Sequence, residues 1–121
     1  EHSRAYLIDL HSFISGPTED ICLGNVNETT CSERFIGCFE RAFKKHDFSV
    51  TRNDKWTGGY ITQYYGSREN VESLQIEIRL PVYLEGDDFM GPEAPDWDTD
   101  RFKDAGKRMR KVFSDVLREL F

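Results

Sequence analysis

The sequence is short of most features that would declare a function. It has only three cysteines, Cys22, Cys31 and Cys38, and no C-x-x-C pair, which argues against a disulfide framework or a zinc ribbon. Its three histidines, His2, His11 and His46, leave few imidazoles to ligate a metal. Basic charge is scarce: 16 Lys and Arg stand against 22 Asp and Glu, for a net charge of -6 and a pI of about 5.0. Phosphate binding needs a basic patch, so nucleic acid is not an expected partner. No apolar run is long enough for a bilayer, and mean hydropathy is -0.62, so no membrane association is expected. Neither a signal-peptide pattern nor a Gly-rich phosphate loop, nucleophile elbow or His-Glu-x-x-His is present. Position 1 is Glu rather than Met. That fits a processed chain, an excised piece, or a chain lacking an N-terminal part, and a strand starting within a few residues of Glu1 favours the last two. Buried structural thiols in a reducing cytoplasm are the expected role of the cysteines.

What is present suffices for one domain spanning residues 1–121. Apolar residues make up 38% and aromatics 13%, with nine Phe. Ala5 to Leu10 reads as a buried strand, Ser15-Gly16-Pro17 as a turn, and Asp20 to Leu23 as a second strand. Thr30-x-x-Glu33 has the form of a capping box, followed by a helix to about Lys45 whose apolar face is Phe35, Ile36, Phe39, Ala42 and Phe43. That spacing puts Cys31 and Cys38 near one face of the helix. Phe48 to Arg52 is the third strand. A strand–helix–strand unit implies a parallel pair with a right-handed crossover, and hence an α/β fold. Asn53 to Tyr60 reads as a loop, Glu72 to Leu80 as the fourth strand, and Glu85 to Asp98 as an acidic, solvated loop. A last helix starts near Asp98 or Thr99 and runs to the C-terminus.

Three segments can carry chemistry. The first is Asp9-Leu10-His11-Ser12 at the end of the first strand. Side chains alternate across a strand, so Asp9 and His11 share a face, and a carboxylate and an imidazole emerge together. A His here can bind a metal through one nitrogen while an acceptor holds the other, with Asp9 and Ser12 as the supporting groups. A hydrogen-bonded core histidine is the bland alternative. The second is Gln75-x-Glu77-x-Arg79, on one face of the fourth strand, opposite Leu74, Ile76, Ile78 and Leu80. Buried, such a ladder is costly unless it lines a cavity, where Glu77 suits a general base and Arg79 a carboxylate clamp. On an edge strand with one solvated face it costs nothing. The third is Gly58-Gly59-Tyr60-Ile61-Thr62-Gln63-Tyr64-Tyr65-Gly66, where paired glycines allow close backbone approach to a ligand and hydroxyls line the approach. A Gly-rich turn with packed aromatics explains it equally well. His46 is accounted for by the helix end, where positive charge suits the dipole.

Taken in order, Asp9-Leu-His11-Ser12, Asp20-x-Cys-Leu-Gly24, Thr30-Cys31-Ser32, Gly58-Gly59-Tyr60-Ile61-Thr62 with Tyr65-Gly66, and Leu74-Gln75-Ile76-Glu77-Ile78 resemble the C-terminal half of the N-formylglutamate amidohydrolase family. The resemblance covers nearly the whole chain. It implies a three-layer α/β/α sandwich around a mixed, mostly parallel sheet, phosphorylase/hydrolase-like and here partial, as in zinc carboxypeptidases and aspartoacylase. It implies Zn2+ as cofactor, with His11 the last of three protein ligands and the first two upstream of this segment. Glu77 becomes the base that activates water, and the substrate a small acidic amide cleaved to formate and glutamate, a step of histidine degradation. Arg79 and the loop bearing Gly59, Tyr60, Thr62 and Tyr65 are placed around that substrate. Tyr64, Gln63 and Arg79 depart from family habit, where His, Arg and Asn respectively occur.

Two other outcomes remain open on the sequence: a binding module that keeps the scaffold without a complete metal site, and an incomplete lobe of a larger protein. Self-association through an incomplete sheet face is expected of the second.

Overall fold

The middle of the sheet belongs to a polar-looking strand. The computed structural model describes residues 3–86 and 89–121; His2 and the Asp87-Asp88 pair of the acidic loop lie outside them. The elements are β1 (Ala5–Phe13), β2 (Ile21–Gly24), α1 (Glu33–Lys45), β3 (Val50–Arg52), α2 (Tyr60–Gly66), β4 (Val71–Arg79), a single 3-10 turn at Leu80–Val82, and α3 (Asp100–Leu120). The four strands form one mixed sheet in the order β1-β4-β2-β3. β1 runs parallel to β4 along its full length, and β2 is parallel to β3. β2 meets β4 antiparallel. The parallel pair expected from strand–helix–strand is therefore β2 and β3, joined by α1.

α1 and α3 cover one face of the sheet. Phe35, Ile36, Phe39 and Phe43 of α1 and Val112 and Val116 of α3 close over Ile21, Leu23, Leu74 and Ile76. Each fully buried side chain of this size contributes roughly 1.5–3 kcal/mol. Phe39 stands edge-on to both Phe35 and Phe113 at 5.5 Å. The two helices are also tied by charge: Asp115 of α3 receives Lys45 Nζ at 2.7 Å and lies 2.9 Å from His46 Nε2. The short α2 lies on the other face, so the sheet is sandwiched, unequally, between helices.

Several boundaries differ from the sequence reading. α1 begins at Glu33, capped by Ser32, whose Oγ accepts from Phe35 N–H at 3.3 Å. Thr30 is not the cap: its hydroxyl donates to Ser73 O at 2.8 Å, tying the segment before the helix to β4. Glu33 then faces Arg52 at 2.7 Å instead of reaching back as in a capping box. Cys31 accordingly precedes the helix that carries Cys38. All three cysteines are free. Burial pushes the Cys31 and Cys38 thiols up to about 11 and raises Cys22 as well, which keeps them protonated and inert. α2 occupies a segment with no apolar stripe, since among its residues only Thr62 is buried. Helical periodicity had nothing to show there. α3 starts with Thr99 as cap, its Oγ1 accepting from Phe102 N–H at 3.2 Å. β1 is longer than expected and lies at the sheet edge; Leu10 on it remains 56% exposed.

Candidate functional site

β4 is a central strand, and that decides between the two accounts of its polar ladder. Gln75 is 5% exposed and Glu77 6%, so these residues are buried and do not lie on a solvated edge. The parallel register sets Asp9 beside Gln75, His11 beside Glu77, and Phe13 beside Arg79. Register partners on neighbouring strands lie about 4.8 Å apart and point to the same face. Asp9, His11, Gln75 and Glu77 thus form one polar cluster on the face opposite α1 and α3.

Within the cluster, His11 Nε2 lies 2.9 Å from Asp9 Oδ1. The Asp9 side chain is 13% exposed and that of His11 45%, so the carboxylate anchors a ring that opens to solvent. With Nε2 held, Nδ1 is the nitrogen left for coordination. Burial raises the Glu77 carboxyl above its ordinary 4.5; the neighbouring His11 and the Gln75 amide pull it back, and Asp9 pushes it up. Arg79 is not among the groups acting on Glu77. A hydrogen bond joins Gln75 Nε2–H to Glu77 Oε1 at 2.7 Å.

The segment 53–59 crosses the same face over β2. Cys22 Sγ–H is shared between the carbonyls of Asp54 and Trp56, both at 3.4 Å. Gly24 makes the crossing possible: a Cβ there would stand 2.7 Å from the Thr57 carbonyl carbon. Gly58 has a φ of 125°, a region that L side chains rarely adopt, and turns the chain so that Gly59 N–H reaches Gln75 Oε1 at 2.6 Å. Trp56 packs near Phe13, with ring centroids 6.5 Å apart. Arg79 Nε, Trp56 Nε1 and Thr62 Oγ1 are buried polar atoms with no hydrogen-bond partner among the described residues.

Matched residue by residue, the expected site comes together in part. Asp9, His11 and Glu77 form its heart, Arg79 lies further along the same face, and Gly59 joins through Gln75. Tyr60 and Tyr65 stay on the exposed side of α2, 77% and 43% exposed, while Thr62 is fully buried. Ser12 needs correcting. Strand alternation sends it to the opposite face from His11, where its Oγ meets Tyr83 Oη at 2.7 Å, so it does not support the imidazole. Cys22 and Gly24, which let the loop cross, stand in the Asp20-x-Cys-Leu-Gly24 motif but are not among the expected site residues. Gly24 at a strand end, like the paired Gly58-Gly59, is the residue type that permits a close backbone approach.

The sequence matches the profile of N-formylglutamate amidohydrolase over residues 1–84, a stretch that contains every residue of the cluster. The chain belongs to the N-formylglutamate amidohydrolase family. Among solved structures it is similar to N-formylglutamate amidohydrolase from Ralstonia eutropha, with 26% identity and a TM-score of 0.72 over 95% of this chain and 42% of that one. It spans less than half the length of that relative. A bacteriophage poly-gamma-glutamate hydrolase shares the fold at 10% identity and a TM-score of 0.56, over 93% of this chain and 54% of that one. Among curated proteins, none matches.

Among the described residues, no helix is long and apolar enough to cross a membrane. Nor does any group of three or more His, Cys, Asp and Glu converge to hold an ion. The donors present are a single imidazole, His11, held by the Asp9 carboxylate, with a second carboxylate, Glu77, beside it in register, which matches part of the donor set of a zinc site.

Proposed function

We propose that this chain carries one side of a zinc-dependent amidohydrolase site that cleaves an N-formyl or N-acyl amino acid such as N-formylglutamate. The observation that carries the reading is the register pairing of His11 with Glu77 on a buried polar face. His11 would hold the zinc, steadied by Asp9, as one of several ligands such a site requires. Bound there, the ion supplies Lewis acidity and makes a nearby water easier to deprotonate. Glu77 takes the proton of the attacking water and delivers it to the departing amine. Its raised pKa, caused by burial, makes it a stronger base than an exposed carboxylate. Arg79, whose buried Nε has no partner among the described residues, offers a donor to an acidic substrate, and the segment with Gly59, Tyr60, Thr62 and Tyr65 borders the approach. The free, protonated thiols suit a cytoplasmic setting.

Formate release from N-formylglutamate, with zinc supplied, tests this. The assay is run on the chain alone and on a chimera in which it replaces the matching part of the Ralstonia eutropha protein. The chain alone is expected to take up little zinc and the chimera one equivalent, counted by native mass spectrometry. Glu77→Gln should cut turnover by about 10²–10⁴-fold with the circular dichroism unchanged. A folded, zinc-loaded chimera in which Glu77→Gln is as active as the parent sinks the proposal. Among the described residues no three donors converge, and Tyr64 stands where the family often has His; both favour a second reading, a binding module for a small acid. There Glu77→Gln shifts affinity alone.

A further inference from the structure

We infer that Gln75 is a positioning residue: it ties the Glu77 carboxylate to the backbone at the start of α2 and leaves Oε2 as the oxygen of Glu77 that works on the substrate side. The inference rests on the proposed role of Glu77 as the base, but the connection itself stands on geometry.

Gln75 uses both ends of its amide. Its Oε1 accepts from Gly59 N–H at 2.6 Å, and its Nε2–H donates to Glu77 Oε1 at 2.7 Å. A backbone N–H can only donate, so the amide oxygen must face Gly59, and the amide NH2 is then forced toward Glu77. The side chain cannot flip without losing both bonds at once. At 5% exposure it has little water to replace them, and a buried amide left without partners is costly. Oε1 of Glu77 is thereby engaged as an acceptor, which leaves Oε2 free for proton transfer.

Few other residues could make this link. Asn is one methylene shorter. Glu cannot donate to a carboxylate and would set a second negative charge beside Glu77. Leu or Met fill the space and make neither bond. The paired glycines acquire a reason as well. Gly58, with its φ of 125°, leaves no room for a side chain, since a Cβ would lie 2.9 Å from Val26 Cγ2 and 3.2 Å from Thr62 Cγ2. Its carbonyl is fixed by Gln63 Nε2–H at 3.0 Å. The turn therefore presents the Gly59 N–H to Gln75 at a set place, and any displacement of α2 reaches the Glu77 carboxylate through one side chain.

The test is a double-mutant cycle read at the Gly59 amide by 15N–1H NMR, well suited to a chain of 14.1 kDa. Gly59 hydrogen-bonds to Gln75, so a response to Glu77 must pass through the connector. Glu77→Leu is expected to shift the Gly59 resonance, and Gln75→Leu to speed its hydrogen exchange at least tenfold. In the double variant, Glu77→Leu should add nothing further. Should Gln75→Leu not fold, Gln75→Met, which keeps the length and flexibility, takes its place. A Gln75 that merely fills space predicts no shift from Glu77→Leu, or shifts that add independently, and either result overturns the connector. In the formate assay, Gln75→Met should lower kcat at least tenfold with KM within twofold, because the base is misplaced while the substrate contacts persist. An unchanged kcat overturns the positioning role. An intact NMR coupling without turnover in any form upholds the connector and instead sinks the reading of Glu77 as a base.

Discussion

The two faces of β4 are built from the same five-residue alternation and do opposite things. Leu74, Ile76 and Ile78 turn toward α1 and α3, where Leu74 and Ile76 are fully buried among Phe side chains. Gln75 and Glu77 turn the other way and are almost as deeply buried, but among hydrogen-bonding groups. The first face is stabilised by area removed from water. The second carries a carboxylate whose charged form is disfavoured by its surroundings. In its charged form such a group adds nothing to the stability of the fold. Burial has two meanings in this sheet, and only the second marks the candidate site.

The sharpest way to break the comparison is to truncate each face in turn. Ile76→Ala should cost about 2–5 kcal/mol, measured by urea denaturation, since it opens a cavity in a packed core. Gly24→Ala should come next, at about 1–3 kcal/mol, because its methyl group collides with the Thr57 backbone and displaces the segment that crosses the polar face. Glu77→Leu should change stability at neutral pH by no more than about 1 kcal/mol, relief of the buried charge being offset by the orphaned Gln75 amide. Because the folded pKa of Glu77 is raised, its contribution is fully present below the ordinary 4.5 and lost as pH rises through the raised value. Glu77→Leu should remove that slope. A loss for Glu77→Leu equal to that of Ile76→Ala would mean that the two faces do the same work.

The smallest effect belongs to the helix face. Lys45 and His46 hydrogen bonds hold the Asp115 carboxyl down from its ordinary 3.8 to about 2. A lowered folded pKa gives stability that is present above 3.8 and lost as pH falls through about 2. Asp115→Asn should flatten the melting temperature across that acid window, lowering it modestly at pH 7, where the contribution is fully present, and leaving it nearly unchanged below about pH 2. A slope that persists in the variant removes Asp115 as its source.

The legible parts of the chain were those where one residue pattern has one physical consequence. The stripe Phe35, Ile36, Phe39, Phe43 specified α1, and Thr99 before an apolar repeat specified the start of α3. The pairing of Asp9 with His11 followed from strand alternation alone. Patterns with two consequences were misread or left open. Thr30 and Ser32 are both competent caps, and what settled the matter was a carbonyl of β4, 43 residues away, that claims the Thr30 hydroxyl. α2 has no apolar period to read, because among its residues only Thr62 is buried. Ser12 was read as an ally of His11 from adjacency, where alternation separates them.

By itself the sequence determined which side chains share a face of each strand, because the pleat repeats every two residues whatever lies next to it. It also determined the family, through short segments kept in order. Only the tertiary structure decided that β4 is central and β1 its parallel neighbour, since strand order depends on contacts between segments more than 50 residues apart. That placement makes Glu77 a buried carboxylate beside His11 instead of a solvated edge residue, and turns Gln75 from one member of a polar ladder into the link between the two halves of the site.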